Sequence, residues 1–281
     1  MTLERRGALH TIDLATCRDR VRRGHLPRPG TAGAGVRVTK DWWSIVVGGR
    51  TIYRVSRHYR VVSEDKGPIE LLGASSDGRW LFFAIDPDGS GSLQADGLTL
   101  RVISVDGGRV IKLPRMLVYR DYLTWCGGRL VFTAGGDRVA TDRKRLMVAS
   151  PPSWRPRPLV PDSGRVWGSL VCAPDGRSLV AQSQGQSTNP SFFATHWSLW
   201  RVGLDGTKRR LTQPPPGTAD ESPRFSRDGK SMLFVRSRKG NGSLYALRGG
   251  RVTGPLLSLG NNSGYYGHHD WWLTAAWSLA R

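Results

Sequence analysis

The chain has little cysteine, little lysine and few acidic residues, and it has no long apolar run. Its three cysteines, Cys17, Cys126 and Cys172, lie far apart in 281 residues and match no zinc or thiol-redox spacing, so a disulfide framework is not expected. No stretch approaches the roughly 18 apolar residues that cross a bilayer. The opening Met1-Thr2-Leu3-Glu4-Arg5-Arg6 lacks the apolar segment of a secretory signal. Gly-x-Ser-x-Gly, the strained turn that presents a hydrolase serine, is absent, which excludes an α/β-hydrolase domain within these residues.

Acidic residues number 22 against 42 basic ones, a net charge of +20. That balance favours polyanions, whether nucleic acid, anionic lipid or acidic glycan. Yet only 7 of the 42 are lysine, beside 35 glycines and 17 prolines. An arginine bias of this kind also follows from codon usage in a GC-rich genome, and the basic residues are spread along the chain rather than gathered in an arm. Both explanations stand.

What the chain does have is a repeat. Ser75-Ser76-Asp77-Gly78-Arg79 and the strand after it recur 151 positions later as Ser226-Arg227-Asp228-Gly229-Lys230, and Ala173-Pro174-Asp175-Gly176-Arg177 is a third copy 53 positions before the second. Asp-Gly between alternating apolar stretches is a hairpin turn, because both residues tolerate the backbone conformation it needs. Each copy closes with a second hairpin, starting near Leu100, Leu199 and Leu244, with a short insertion assumed before Leu100. Two hairpins make four strands, one propeller blade. Second hairpins also start near Leu9, Ile52 and Leu146, which makes six blades.

The hairpin at Leu9 has no first hairpin before it, and 265–277 supplies two strands with no second hairpin behind them. The expectation is therefore an all-β, six-bladed β-propeller with four-stranded antiparallel blades, the first closed by strands from both chain ends, which removes an open sheet edge. The blades fall at about 8–23 with 264–281, 36–64, 67–114, 116–161, 164–213 and 219–260 of a single domain, 1–281. The alternative is that the chain is a piece of a longer protein whose missing strands lie upstream.

Ser222-Pro223-Arg224-Phe225-Ser226-Arg227-Asp228-Gly229-Lys230, the strand Met232-Leu233-Phe234-Val235, the loop Gly240-Asn241-Gly242 and then Leu244-Tyr245 resemble the TolB-like propeller repeat. The likeness extends to the blades around Asp77 and Asp175. It is degenerate where Gly48-Gly49-Arg50 and Gly127-Gly128-Arg129 replace the Asp-Gly turn. Such relatives include exported binding proteins and the propeller domains of prolyl-oligopeptidase-like peptidases, so the resemblance implies an extracytoplasmic interaction module sooner than a catalyst.

Candidate chemistry is sparse. His268-His269-Asp270 gathers metal-ligand types, but neighbours on a strand face opposite ways, and no metal site is assigned. Asp86-Pro87-Asp88-Gly89-Ser90-Gly91-Ser92 resembles a calcium loop, yet its twelfth position is Gly97 rather than Glu, so it reads as a loop of the repeat and no cofactor is expected. Among the 11 tryptophans, Trp42, Trp43, Trp271 and Trp272 suit base or sugar stacking, though propeller aromatics mostly fill the space between blades. Cys172 aligns with Phe225 and reads as a buried apolar residue.

The leading expectation is a monomeric, non-catalytic module that binds a protein or glycan partner through one face or the channel mouth. Tyr265, Tyr266, His268, His269, Asp270 and Trp271 are its contact candidates. The rival is a lyase or hydrolase acting on an acidic polysaccharide, which would bring a histidine, an acid and two or more arginines into one pocket.

Overall fold

A computed structural model describes residues 67, 69–86, 97–135, 138–188, 196–226 and 228–271, together with the backbone of short strands within 2–64 and at 276–278. The calcium-like loop after Asp86, the Trp42-Trp43 pair and Trp272 lie outside the residues so described.

The chain is all-β. Four sheets of four antiparallel strands are described in full. Strands β8 (Ile69–Ala74), β9 (Trp80–Ile85), β10 (Leu98–Ser104) and β11 (Ile111–Met116) form one; β12 (Leu123–Cys126), β13 (Arg129–Ala134), β14 (Arg145–Ala149) and β15 (Arg157–Pro158) form the next. Strands β16 (Arg165–Cys172), β17 (Ser178–Gly185), β18 (Ser198–Gly203) and β19 (Lys208–Arg210) form a third, and β20 (Ala219–Phe225), β21 (Ser231–Arg238), β22 (Asn241–Arg248) and β23 (Arg251–Asn261) a fourth. The short strands β1 (Thr2–Arg5), β2 (Ala8–Asp13), β3 (Arg18–Arg23), β4 (Val36–Arg37), β5 (Ser44–Gly48), β6 (Thr51–Val55), β7 (Tyr59–Glu64) and β24 (Ala276–Ser278) pair as the ladders β24-β1-β2-β3 and β4-β5-β6-β7. Contacts divide the chain into two units, Met1–Arg28 with Val139–Lys144 and Val160–Arg281, and Pro29–Arg138 with Arg145–Leu159.

The Asp-Gly turns of the repeat close as their sequence requires. Asp77, Asp175 and Asp228 each accept the N–H two residues on, at 3.1, 2.8 and 3.0 Å. Gly78, Gly176 and Gly229 follow at φ of +73°, +65° and +69°, where a side chain would be strained. Ser75 and Ser226 add a hydroxyl that accepts from Trp80 and Ser231, at 2.9 and 3.0 Å. Ala173 has no such group, and its turn rests on the backbone bonds between Ala173 and Ser178 and between Gly176 and Ala173.

The second strand of each sheet is its apolar heart. Leu81, Phe82, Phe83 and Ala84 of β9, Leu179, Val180 and Ala181 of β17, and Met232, Leu233, Phe234 and Val235 of β21 are all buried. Unbroken apolar runs of this length belong to strands covered on both faces. Within the first unit Val180 and Leu199 pack on Met232, Phe234 and Leu247, joining the third sheet to the fourth.

Two expectations change here. The segment after residue 264 does not run as a strand through the histidines: Tyr265 and His268 close a tight turn by an isolated bridge, because Gly264, Tyr266 and Gly267 take φ of +68°, +47° and +88°. Cys126 and Cys172 are disulfide-bonded, against the expectation of a buried apolar Cys172. Spacing carried no warning, since cysteines pair by fold and not by separation in the chain. Alkylating the unreduced protein under denaturing conditions should therefore label one thiol of three, and alkylation after reduction all three; three labels without reductant, read by intact mass, would refute the bond.

Candidate functional site

The site begins with two acids at the head of β20. Alternation along a strand sends Asp220 and Glu221 to opposite faces. Asp220, fully buried, accepts two bonds from its cross-strand partner Arg236, from Nε at 2.7 Å and Nη2 at 2.9 Å. The bidentate bond holds the guanidinium above its usual basicity. Arg236 also lies over the Tyr245 ring at 4.9 Å.

Glu221 faces the other way and is met by the segment that follows the turn. Its Oε2 accepts from Trp271 Nε1 at 2.7 Å, and its Oε1 lies 3.0 Å from His269 Nδ1. A carboxylate only accepts, so Nδ1 carries the proton. Glu221, His269 and Trp271 are 1, 3 and 0% exposed. Burial, the largest influence on His269, pulls its pKa down, but the charge of Glu221 and its hydrogen bond together outweigh burial and hold the imidazole above its ordinary range.

Two further features mark this end of β20. The strand is bulged between Glu221 and Arg224, with Ser222 at φ 51°. The third sheet has the same device 53 positions earlier, where β16 is bulged between Gly168 and Leu170 with Ser169 at φ 33°. Bulges re-aim side chains, and non-glycine residues at positive φ gather at functional sites. Second, His269 Nε2 and Ser222 Oγ are buried without a hydrogen-bond partner among the described residues.

Close backbone approaches hold the aromatic pair in place. A Cβ at Gly242 would run into the Trp271 indole, so only glycine leaves room for that ring. At Gly264 a Cβ would stand 2.5 Å from His269 Cδ2 and 2.8 Å from Nε2, so the turn lies directly over the partnerless nitrogen.

Of the six candidate residues, His269 and Trp271 meet on Glu221. His268 is buried and closes the turn, its N–H donating to the Tyr265 carbonyl at 3.0 Å. Tyr265 is 41% exposed and packs edge-to-face on Tyr266 at 4.8 Å, while the Tyr266 carbonyl accepts from Ala140 N–H at 2.8 Å. Asp270 is half-buried between the two. Among the described residues no group of three or more His, Cys, Asp or Glu is placed to hold a metal ion. Among the described residues Arg236 is held by Asp220, and Arg201, Arg209 and Arg210 line a cleft that reaches β20 only at Phe225. Phe225 is four residues from Glu221, or about 13 Å along a strand.

Glu221 is the member of this candidate site that the sequence reading missed. The repeat held a signal: the position of Asp220 is occupied by Ile69 in the first copy and Trp167 in the third, both buried apolar residues. Asp220 departs from that apolar pattern, whereas Glu221 aligns with Glu70 of the first copy and Gly168 of the third and carries no such signal.

No family model matches the sequence, and no curated protein matches it. Solved structures do match. A protein of Agrobacterium tumefaciens assigned as TolB superimposes with a TM-score of 0.54 at 16% identity, over 90% of this chain and 89% of its own. The fold is that of the TolB-like β-propellers. An oligogalacturonate lyase of Vibrio parahaemolyticus matches with a TM-score of 0.55 at 12% identity, over 94% of this chain and 74% of its own. A puromycin hydrolase matches with a TM-score of 0.54 at 15% identity, over 90% of this chain but only 44% of its own.

These likenesses carry fold, and they correct one expectation. The reading as a non-catalytic module that binds a protein or glycan partner rested on treating this propeller as a binding scaffold by default. The same fold is present in a lyase and a hydrolase, so that default is withdrawn. Glu221 and His269 are 48 positions apart, so no contiguous motif marks them as a pair.

Proposed function

We propose that the chain is an enzyme acting on an acidic polysaccharide, as a lyase or a hydrolase, with Glu221 and His269 as its proton-transferring pair. The observation that carries this reading is the His269 imidazole, fixed at Nδ1 by a carboxylate and, among the described residues, without a partner at Nε2. An imidazole held in one tautomer by a carboxylate is a general base at its other nitrogen when neutral, and a general acid there when protonated.

In a lyase that nitrogen would take the proton beside a uronate carboxyl group. In a hydrolase it would protonate the leaving oxygen or activate water. Substrate would reach Nε2 when the turn at 264–267 lifts from the imidazole, with exposed Tyr265 and its neighbour Tyr266 offering ring faces to a sugar. Ser222 Oγ, next to Glu221 in the chain, is a further polar contact for it. The +20 charge draws a polyanion toward the protein.

In this reading the chain is a single propeller domain of six blades, one of them completed from both chain ends. The pairing of β24 with β1, Thr2 opposite Ser278, supports that closure. The disulfide-bonded cysteines support an oxidising, extracytoplasmic setting, and no described helix is long and apolar enough to cross a membrane.

The test is turnover of polygalacturonate, alginate and a neutral glucan by the purified chain, followed by the ultraviolet absorbance of unsaturated uronate and by new reducing ends. Absorbance with an acidic substrate supports the lyase, and reducing ends without absorbance support the hydrolase. Silence on every acidic polymer would refute both.

A further inference from the structure

A second cluster of charge lies at the other end of the third and fourth sheets, away from the histidine. A cleft of about 470 Å³ opens there, and Arg201, Arg209, Arg210 and Lys230 line it together with an apolar floor of Val180, Phe225, Met232 and Leu247. An adjoining hollow of about 260 Å³, lined by Ser178, Thr207 and Lys208, shares Arg201 and Arg209 with it. No acidic residue lines either space. The fourth sheet closes on the third where Gly229 of one Asp-Gly turn rests against Pro174 beside the other, so the cleft is built from two sheets.

The cations are held in place, and their charge is only partly offset by carboxylates outside the cleft. Arg201 is braced by Ser178 Oγ at 2.9 Å and Asp175 at 3.3 Å, and Arg210 by the Thr212 carbonyl at 2.8 Å. Arg209 has no side-chain partner among the described residues, and Lys230 has only the charge of Asp228, two residues before it. Arg201 and Arg209 stand directly opposite in the β18–β19 ladder, a like-charge pair that costs stability. Arg210 in turn opposes Arg165, whose basicity is lowered by burial first and by the Arg210 charge second.

Basic side chains on an edge strand discourage pairing with other chains. That accounts for exposed Lys208 and Arg209 on β19, but not for Lys230, which reaches the same cleft from a turn of the next sheet. A self-repelling cluster with an apolar floor is at rest when an anion with apolar surface fills it.

The geometry points to this cleft as a second polyuronate-binding site, in which Arg209 and Lys230 hold carboxylates of successive sugars while the floor takes their C–H faces. It rests on the proposed substrate class and extends it: the polymer is gripped at a place separate from His269. An acidic glycan fits better than a single-stranded nucleic acid, because base stacking needs a series of open ring faces and Phe225, half-buried, is the cleft's one aromatic.

The experiment is calorimetric titration of the full chain carrying H269N, which prevents cleavage, with a sized galacturonan oligomer, its methyl ester and oligo-dT at physiological salt. The same titrations are then made with R209T and K230T added. The de-esterified oligomer should bind, the added pair should weaken it at least tenfold and flatten its salt dependence, and the ester should bind at least tenfold more weakly. Because R209T relieves the Arg201 repulsion, the melting temperature should hold or rise, so lost binding is not lost folding. Unchanged affinity with R209T and K230T, equal affinity for the ester, or oligo-dT binding as tight as galacturonan would each overturn the site. Turnover by the wild-type chain is scored separately: its absence counts against the catalytic reading, while the titration alone decides the cleft.

Discussion

Replacing Glu221 by leucine should lower unfolding stability by about 2–5 kcal/mol, a large share of the 5–15 kcal/mol that holds a typical domain folded. Two buried donors, His269 Nδ1 and Trp271 Nε1, depend on its two oxygens at 3.0 and 2.7 Å. Each orphaned buried donor costs roughly 1–3 kcal/mol. Removing one partner of a buried ion pair is the expensive way to break it.

The pH dependence of the loss has a definite sign. His269 is held above its ordinary pKa by Glu221 against the pull of burial. Its protonated form is therefore favoured by folding, and that part of the stability is fully present below about pH 6.5 and is lost as pH rises through the raised value. The gap between wild type and E221L should be widest at and below pH 6.5 and narrow above it. It should not close, because both N–H donors still need an acceptor when the imidazole is neutral. Urea unfolding of both proteins at several pH values measures this; a gap under about 1 kcal/mol, or one flat with pH, would mean that Glu221 does not hold the histidine.

The repeat was legible because its turns are chemistry fixed in the chain. Asp77, Asp175 and Asp228 accept the N–H two residues on, whatever lies around them, and the glycines after them must take positive φ. The second hairpins follow the same logic: starts read near Leu100, Leu199 and Leu244 fall within β10, β18 and β22. The turn at residues 264–268 was not legible as a turn. Its Tyr-Tyr and His-His neighbours read as an alternating strand, and the deciding fact is positive φ at Tyr266, which sequence pattern does not favour.

The site was half legible for a related reason. Residue type alone marked His269 and Trp271. Their meeting on Glu221 depends on how the turn after β23 lays the chain across the bulged head of β20, and a bulge with a serine at φ 51° has no composition to betray it. Comparing copies marks only Asp220, which interrupts a buried apolar position held by Ile69 and Trp167; Glu221 aligns with Glu70 and Gly168 and leaves no signal in the sequence. The arginines misled in the opposite sense: counted over the chain they form a uniform excess, and only strand pairing sets Arg201 against Arg209 and brings Lys230 beside them.

Replacing His269 by alanine should reduce kcat/KM on the active polysaccharide by about 10² to 10⁴, the usual contribution of a positioned acid or base, with the fold retained by the rest of the fourth sheet. The pH profile of the wild type then says which role the imidazole plays. A lyase base must be neutral, and because Glu221 raises the pKa of His269, kcat/KM should climb with pH through a midpoint above 6.5. A hydrolase acid must be protonated, and the same raised value becomes the midpoint of a falling limb. Glu221→Gln separates positioning from charge: an amide can turn its NH₂ toward Nδ1, which makes that nitrogen the acceptor and puts the proton on Nε2, so a base is lost outright, while an acid loses the carboxylate that favours its imidazolium and its falling limb moves to lower pH. A lyase that retains its rate in E221Q, or whose rate climbs through a midpoint below 6.5, would show that proton transfer belongs to another residue.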